Sequence, residues 1–147
     1  MTQEDRELLI KDLSARLPYG VKVSKVVENW TSDPHPIRSI NLNNIIVEDG
    51  EFEDGTPDID IWDYEDIKPY LFPLSSMSEE QRDELFIVVL EEQVSVSKYD
   101  FIDMTGYSEV PMDYVLDAID WLNKNHFDHR GLISKGLALD ASDKNIY

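Results

Sequence analysis

Two Asp-Gly pairs interrupt a strand-like stretch in the middle of the chain. Asp49-Gly50 and Asp54-Gly55 separate the apolar run Ile45-Ile46-Val47 from the segment Ile59-Asp60-Ile61-Trp62. Asp-Gly supplies the positive φ that tight hairpin turns need, and β-branched residues favour extended backbone. The pattern therefore predicts a β-hairpin, in which Ile59 and Ile61 share one face while Asp58 and Asp60 share the other. This feature argues against a plain helical bundle.

Further strand-like segments flank the predicted hairpin. Val21 and Val23 alternate with polar residues, and residues 37–47 are rich in β-branched side chains, which is typical of strands. Residues 31–36 contain two prolines and are predicted to form a loop. Residues 67–74 also contain two prolines, so they are expected to form an extended edge or connecting segment rather than a central strand.

Three segments are predicted to be helical. Residues 2–17 begin at a capping Thr2 and repeat leucine at helical spacing, and Ser78-Glu79-Glu80-Gln81 is a capping box that opens a helix running to about residue 92. The third helix starts near Pro111 and is expected to stop at a left-handed Asn125. Its predicted apolar face consists of Met112, Val115, Leu116, Ile119 and Leu122.

The order of these elements predicts an α+β fold with a small antiparallel sheet and helices packed on one face. The 147 residues are the size of one ordinary domain, so we expect residues 1–147 to fold together, with an acidic hairpin at 48–66 and a polar C-terminal tail at 140–147. Residues 94–102 are expected to form a poorly defined link, and Thr105-Gly106-Tyr107 is predicted to form a turn. No cofactor is indicated by any motif.

Charge restricts the partners that this chain can have. The net charge is -18, and ten of the acids lie between Glu48 and Asp66 without any lysine or arginine. Such a charge repels nucleic acids and anionic membranes, so neither is an expected direct partner. The chain has no cysteine and no apolar run long enough to cross a bilayer, and its N-terminus does not read as a secretory signal. We therefore expect a soluble, intracellular protein.

The nearest approach to a catalytic cluster is His126, Asp128 and His129. Imidazole can act as a general base or bind a metal, with the carboxylate as orienting group or further ligand. The spacing lacks the glutamate and third ligand of the helical His-Glu-x-x-His motif, so a metal site here is weakly indicated. The simpler interpretation is that His126 and Arg130 interact with the C-terminal end of the third helix.

The acidic hairpin admits three interpretations. It does not match a calcium-binding EF-hand loop, and a solvated charged hairpin that blocks edge-to-edge pairing is the simplest. Alternate carboxylates such as Asp58 and Asp60 are also compatible with mimicry of a nucleic-acid backbone. The nearby aromatic residues either anchor a partner or belong to the core: Trp62, Tyr64, Tyr70 and Phe72.

The C-terminal half carries a family resemblance, in residues 70–80, 120–123, 126–133 and 135–139. In these segments the chain resembles short acidic proteins of gut-bacterial phages and prophages, a family without a known activity. Phe72 and His129 depart from the family pattern, which has Arg and Tyr at those positions. The resemblance implies a phage or mobile-element protein that acts in the cytoplasm of a bacterial host.

The leading functional hypothesis is a protein that acts by binding a host or phage protein, such as a basic nucleic-acid-binding protein. Its predicted binding residues are Asp58, Asp60, Trp62, Asp63, Tyr64 and Tyr70. One alternative is a hydrolase or metal-dependent enzyme centred on His126, Asp128 and His129. Another is a homo-oligomeric structural component of a phage.

Overall fold

The elements observed in the structure form an α+β fold, as the sequence predicts. The structure is a computed structural model that describes residues 1–89 and 112–147. Its helices are α1 (Gln3–Arg16), α2 (Glu79–Val89) and α3 (Met112–Lys124). Its strands are β1 (Lys22–Val27), β2 (Trp30–Thr31), β3 (His35–Ile40), β4 (Asn44–Glu51), β5 (Pro57–Asp63), β6 (Ile67–Leu71) and β7 (Leu139–Asp140). The predicted link at 94–102, the predicted turn at 105–107 and the predicted end of the second helix lie outside the described residues.

The seven strands form one open sheet in the order β5-β4-β3-β1-β6-β7, and β2 pairs with β1. All pairs are antiparallel except β6 with β7. The strand β6 lies inside the sheet, so the prediction that residues 67–74 form an edge or connecting segment is wrong for its first five residues. Pro69 is tolerated because β7 pairs only with Tyr70 and Leu71, leaving no ladder bond to β7 at the proline.

The segment predicted as one strand at 37–47 is two strands joined by a turn. β3 ends at Ile40 and β4 begins at Asn44, and the N–H of Asn41 donates to the carbonyl of Asn44 at 2.9 Å. The side chains of the same two asparagines also hydrogen-bond, at 3.0 Å. Asparagine side chains favour turns because they can form such local hydrogen bonds. The sequence analysis did not predict this turn because Leu42, which is 81% exposed within it, is apolar and was assigned to the strand. The predicted loop at 31–36 contains part of β2 and the start of β3.

The two Asp-Gly pairs have different roles in the β4–β5 hairpin. Gly55 has φ +80° and lies in the turn, which is closed by the N–H of Phe52 donating to the carbonyl of Thr56 at 2.8 Å. Gly50 has φ +106° and lies where the β4–β5 register shifts between Glu48 and Glu51. The predicted hairpin is confirmed, with one turn and one bulge in place of two turns.

The helices α1 and α2 begin at the capping residues that the sequence predicts. The Thr2 side chain accepts the N–H of Asp5 at 3.1 Å, and α1 ends in a 3-10 turn that is closed by Gly20 at φ +68°. At the start of α2, Ser78 and Gln81 form the predicted reciprocal capping box, with bonds of 2.9 and 3.1 Å.

The helix α3 buries a face slightly different from the predicted one. Ala118, Trp121 and Leu122 are buried, whereas Leu116 is 56% exposed, so the inclusion of Leu116 in the buried face is wrong. The three buried residues are spaced by three and four positions and therefore lie on one stripe of the helix. They share a cluster with Met77, Leu85 and Phe127.

A second, larger cluster joins α1 to the sheet. Leu9 and Leu13 of α1 contact the buried residues of the strands, among them Val23, Ile45 and Val47. These five side chains are all fully buried. The inner face of the sheet is therefore the face that α1 covers. The opposite face of β4 and β5 is turned to solvent.

Candidate functional site

The predicted histidine cluster lies where α3 ends. The N–H of Phe127 donates to the carbonyl of Leu122 at 2.9 Å, and the N–H of His126 donates to that of Asn123 at 3.1 Å. These two bonds define a Schellman motif, in which the residue after the cap adopts a left-handed conformation. That residue is His126, with φ +59°, so the prediction that Asn125 is the left-handed stop is wrong by one position.

Asp128 and His129 are each committed to a local structural contact. The two carboxylate oxygens of Asp128 accept the N–H groups of Leu132 and Ile133, both at 2.8 Å. The Nε2 atom of His129 lies 2.9 Å from Oδ1 of Asn123. Asp128 therefore holds the loop that follows α3, and neither residue is hydrogen-bonded to the other as an acid–base pair would be.

Beneath the histidines lies a buried ionic network that sequence analysis missed. Asp12 and Arg16 of α1 are both fully buried, and the guanidinium binds the carboxylate through bonds of 2.8 and 3.0 Å. Arg16 also donates to the carbonyl of Phe127 at 2.8 Å, while Arg130 donates to Asp12 at 2.9 Å. The spacing of Asp12 and Arg16 was a visible signal of an ion pair, but nothing in the sequence indicated that both were buried.

This environment keeps both histidines neutral. Burial, and then the positive charge of Arg16, lowers the pKa of His126 from 6.5 to about 4. Burial, and then the charges of Arg130 and Arg16, lowers the pKa of His129 to about 4 as well. A general base for reactions near neutral pH needs a pKa closer to the working pH, so neither imidazole is tuned for that role.

The C-terminal tail covers His126. The ring of Tyr147 stacks on the imidazole with centroids 3.8 Å apart and an interplanar angle of 9°. The Tyr147 hydroxyl donates to the carbonyl of Tyr70 at 2.8 Å and accepts the N–H of Lys22 at 3.2 Å. Burial of this phenol raises the pKa of Tyr147 to about 12. Residues 140–147 are polar, as predicted, and their last residue is bound to the folded core.

The contacts of His126, Asp128 and His129 stabilise the fold and do not form a reactive site. Among residues 1–89 and 112–147, no three or more histidine or acidic side chains are arranged to hold a metal ion. A nearby cavity of about 150 Å³ is lined by Phe72, Ser76, Gln81, Phe127 and Ser142. It contains none of the predicted catalytic residues and is smaller than ordinary ligand pockets, which measure roughly 300–1,000 Å³. His126 does lie at the end of α3, but it closes the helix through its backbone and is neutral, and Arg130 donates to Asp12, so the predicted interaction of these two residues as cations with the helix end is not what the structure shows.

The acidic hairpin presents a different kind of surface. Seven of its ten acids are exposed: Asp49, Glu51, Glu53, Asp54, Asp60, Asp63 and Glu65. Within the described residues, Arg38 is the one lysine or arginine that pairs with any of the ten, at 3.4 Å from Glu48. His35 lies 3.4 Å from Asp49. The hairpin is therefore a strongly negative surface with little internal compensation.

The strand β5 presents its isoleucines to solvent. Trp62 is buried and pairs with the buried Ile45 of β4, so the inner face of β5 carries Trp62, Asp60 and Asp58. Because side chains alternate, Ile59 and Ile61 point outward, where they are 50% and 60% exposed. We call Ile46, Glu48, Ile59, Ile61 and Asp63 the outer face of the hairpin. The position of Trp62 in the same phase as Asp58 and Asp60 was the sequence signal for this arrangement.

The three predicted aromatic binding residues belong to the core. Trp62, Tyr64 and Tyr70 are 4%, 1% and 3% exposed, and Phe72 is half-buried. Trp62 donates its indole N–H to Asp60 at 2.6 Å, and Tyr64 donates its hydroxyl to the carbonyl of Asn41 at 2.6 Å. An anchor in the folded protein must be accessible, so of the two interpretations that the sequence left open, the core is the one that applies.

The predicted acidic residues differ in what they contact. Asp63 is exposed, and Asp58 is partly buried at the start of β5. Asp60 is engaged twice, because it accepts the indole N–H of Trp62 and also the backbone N–H of Ile61 at 2.9 Å. Asp58 and Asp63 are therefore the better positions for probing charge alone.

No family model, curated protein or solved structure matches this chain. Among the described helices, none is long and apolar enough to cross a membrane.

Proposed function

We propose that this protein acts by binding a basic protein partner through the acidic β4–β5 hairpin. The observation that carries the proposal is the surface of the hairpin, which combines exposed Ile59 and Ile61 with seven exposed acids; within the described residues, Arg38 is the one lysine or arginine that pairs with an acid of the hairpin. Apolar contact area supplies affinity, and complementary charge supplies orientation and a fast association rate.

The acidic surface by itself supports only long-range attraction. Exposed ion pairs contribute about 0–1 kcal/mol each, so carboxylates alone bind weakly at physiological salt. The two isoleucines add apolar area at the centre of the charged region, and burying that area favours association. Together the two features describe an interaction surface rather than a merely solubilising one.

A basic nucleic-acid-binding groove is one class of partner that fits this charge. The carboxylates would then occupy positions that phosphates take in the natural complex, which is the mimicry considered from the sequence. The phage or mobile-element context implied by the family resemblance is part of this proposal, and so is a site of action in the host cytoplasm.

The enzyme alternative receives less support from the geometry. Asp128 binds backbone N–H groups, His129 contacts Asn123, and His126 is stacked under Tyr147. Each of these contacts stabilises the segment at the C-terminal end of α3. No observation among the described residues favours the structural-component alternative, which a mass measurement in solution would address.

The test is capture of a partner by two variants of equal charge. Asp58→Lys with Asp63→Lys reverses two charges on the hairpin, and Asp117→Lys with Asp143→Lys reverses two exposed charges elsewhere as the control. We expect the hairpin variant to lose most of the partner that the wild-type protein captures from host lysate, and the control variant to retain it. Capture by the wild type should also weaken as salt is raised from about 50 to about 500 mM. Equal capture by both variants would refute the proposal.

A further inference from the structure

The strand β5 is the outermost strand of the sheet on its side. It pairs with β4 along one edge, and within residues 1–89 and 112–147 no strand pairs with its other edge. Natural sheets protect such an edge with charged side chains, an internal proline, a bulge or a covering element. The strand β5, Pro57–Asp63, has no internal proline, and its charged residues are the three aspartates Asp58, Asp60 and Asp63, which repel acidic strands but attract basic ones.

We infer that this edge receives an extended segment of the partner, which adds to the sheet as a further strand beside β5. The inference rests on the proposed function and specifies how the partner binds. In strand addition, main-chain hydrogen bonds supply much of the affinity, and alternate side chains supply specificity. The exposed Ile59 and Ile61 supply the side-chain row that such a strand would lie against.

Charge excludes a second copy of this chain as the occupant. Two β5 strands paired edge to edge would bring the three aspartates of one copy, Asp58, Asp60 and Asp63, close to those of the other, because all three lie within one short strand. Like charges opposite each other on paired strands are destabilising. The net charge of -18 adds repulsion between whole molecules. The occupant is therefore a basic segment of a different protein.

The alternation of β5 specifies the pattern of that segment. Residues opposite Ile59 and Ile61 lie on the outer face and should be apolar, whereas residues opposite Asp58 and Asp60 lie on the other face and should be basic. The docking segment is thus an extended stretch in which basic and apolar residues alternate. A basic helix would present its charges with a period of about 3.6 residues and would not match this row.

The probe is a synthetic peptide of seven residues in which lysine alternates with isoleucine or valine. Its affinity for the full-length protein is measured by fluorescence anisotropy and compared with a peptide of the same composition that has all its lysines first. Two further peptides carry N-methyl groups, one on the apolar residues and one on the lysines. Because alternate N–H groups of a strand face opposite sides, only one of the two methylated peptides loses bonds to β5.

We expect the alternating peptide to bind at least about tenfold more tightly than the block peptide, and one methylated peptide to lose about tenfold while the other stays within about twofold. Ile61→Thr should weaken binding several-fold, and Leu42→Thr, at a residue that is 81% exposed in the β3–β4 turn, should not. Equal binding of the alternating and block peptides, or equal effects of the two methylations, would overturn strand addition.

The outcomes separate this inference from the proposed function. If all four peptides bind alike, and that binding is lost in the Asp58→Lys and Asp63→Lys variant, the acidic surface binds basic chains without strand pairing. If no peptide binds but partner capture still depends on the hairpin charges, strand addition is wrong and the proposed function stands. If the alternating peptide binds selectively but capture does not depend on these charges, strand addition is retained and the proposed function fails.

Discussion

Replacement of Asp12 by asparagine tests whether the buried ionic network holds α1 against the end of α3. Both oxygens of Asp12 accept from Arg16, and Oδ1 also accepts from Arg130. Asparagine has a similar volume, but it removes the negative charge and turns one acceptor into a donor. The guanidinium of Arg16, which is fully buried, would then face an N–H₂ group without a compensating charge.

The expected loss follows from this geometry. Removing one partner of a buried ion pair destabilises a protein by about 3–5 kcal/mol, because the remaining charge stays buried. Arg16 keeps its bond of 2.8 Å to the carbonyl of Phe127, so we expect the lower part of that range, about 3 kcal/mol. For a chain of this size, that corresponds to a fall in melting temperature of roughly 6–12 °C.

The assay is urea denaturation followed by circular dichroism, with Asp5→Asn as the matched control. Asp5 pairs with Lys135 at 3.8 Å on the surface, so its replacement should change the free energy of unfolding by less than about 0.5 kcal/mol. A loss below about 1 kcal/mol for Asp12→Asn, close to that of the control, would show that the network is not a stabilising link between α1 and α3.

Two further predictions concern the chain end of α3 and the start of α2. The folded-state pKa values of His126 and His129 are about 4, below the ordinary 6.5, so the unfolded state takes up protons that the folded state excludes. Stability is therefore complete above pH 6.5 and falls as the pH drops towards 4, by roughly 2–4 kcal/mol between about pH 8 and about pH 5, which urea titrations at each pH would measure. A free energy of unfolding that stays level over this range would contradict the buried neutral state. Ser78→Ala removes the acceptor for the N–H of Gln81 and should cost about 1 kcal/mol in the same assay, whereas Ser75→Ala, outside the capping box, should cost less than about 0.5 kcal/mol; equal costs would contradict the cap.

The sequence predicted those elements whose signals are local. The Thr2 cap, the Ser78 capping box and the Asp54-Gly55 turn all depend on residues within a few positions of one another, and each is confirmed. Helix starts and tight turns are determined by such short-range hydrogen bonds, so they can be recognised from sequence alone.

The predictions from sequence were wrong where contacts between residues far apart in the chain determine the structure. Taken alone, Pro69 predicts an edge strand. β6 is nevertheless internal, because β7, which begins at residue 139, pairs with its outer side. Asn125 is a better left-handed residue than histidine, yet His126 takes that conformation and stacks on Tyr147, at the far end of the chain. Long-range packing outweighs these local preferences, and a single sequence does not show which distant residues meet.

The same reasoning explains why the histidine segment attracts attention in the sequence but does not form a reactive site. Burying a polar group costs free energy unless it is hydrogen-bonded, and burying a charge costs more. Asp128 is hydrogen-bonded by two backbone donors, and the lowered pKa values of His126 and His129 keep both imidazoles uncharged. The polar groups of the histidine segment thus stabilise the end of α3. Ten acids with little basic compensation lie in the hairpin, beside an edge of β5 with which no strand among residues 1–89 and 112–147 pairs. Exposed charge and an unpaired edge can act on other molecules, and this is why the proposed function is assigned to the hairpin and not to the histidines.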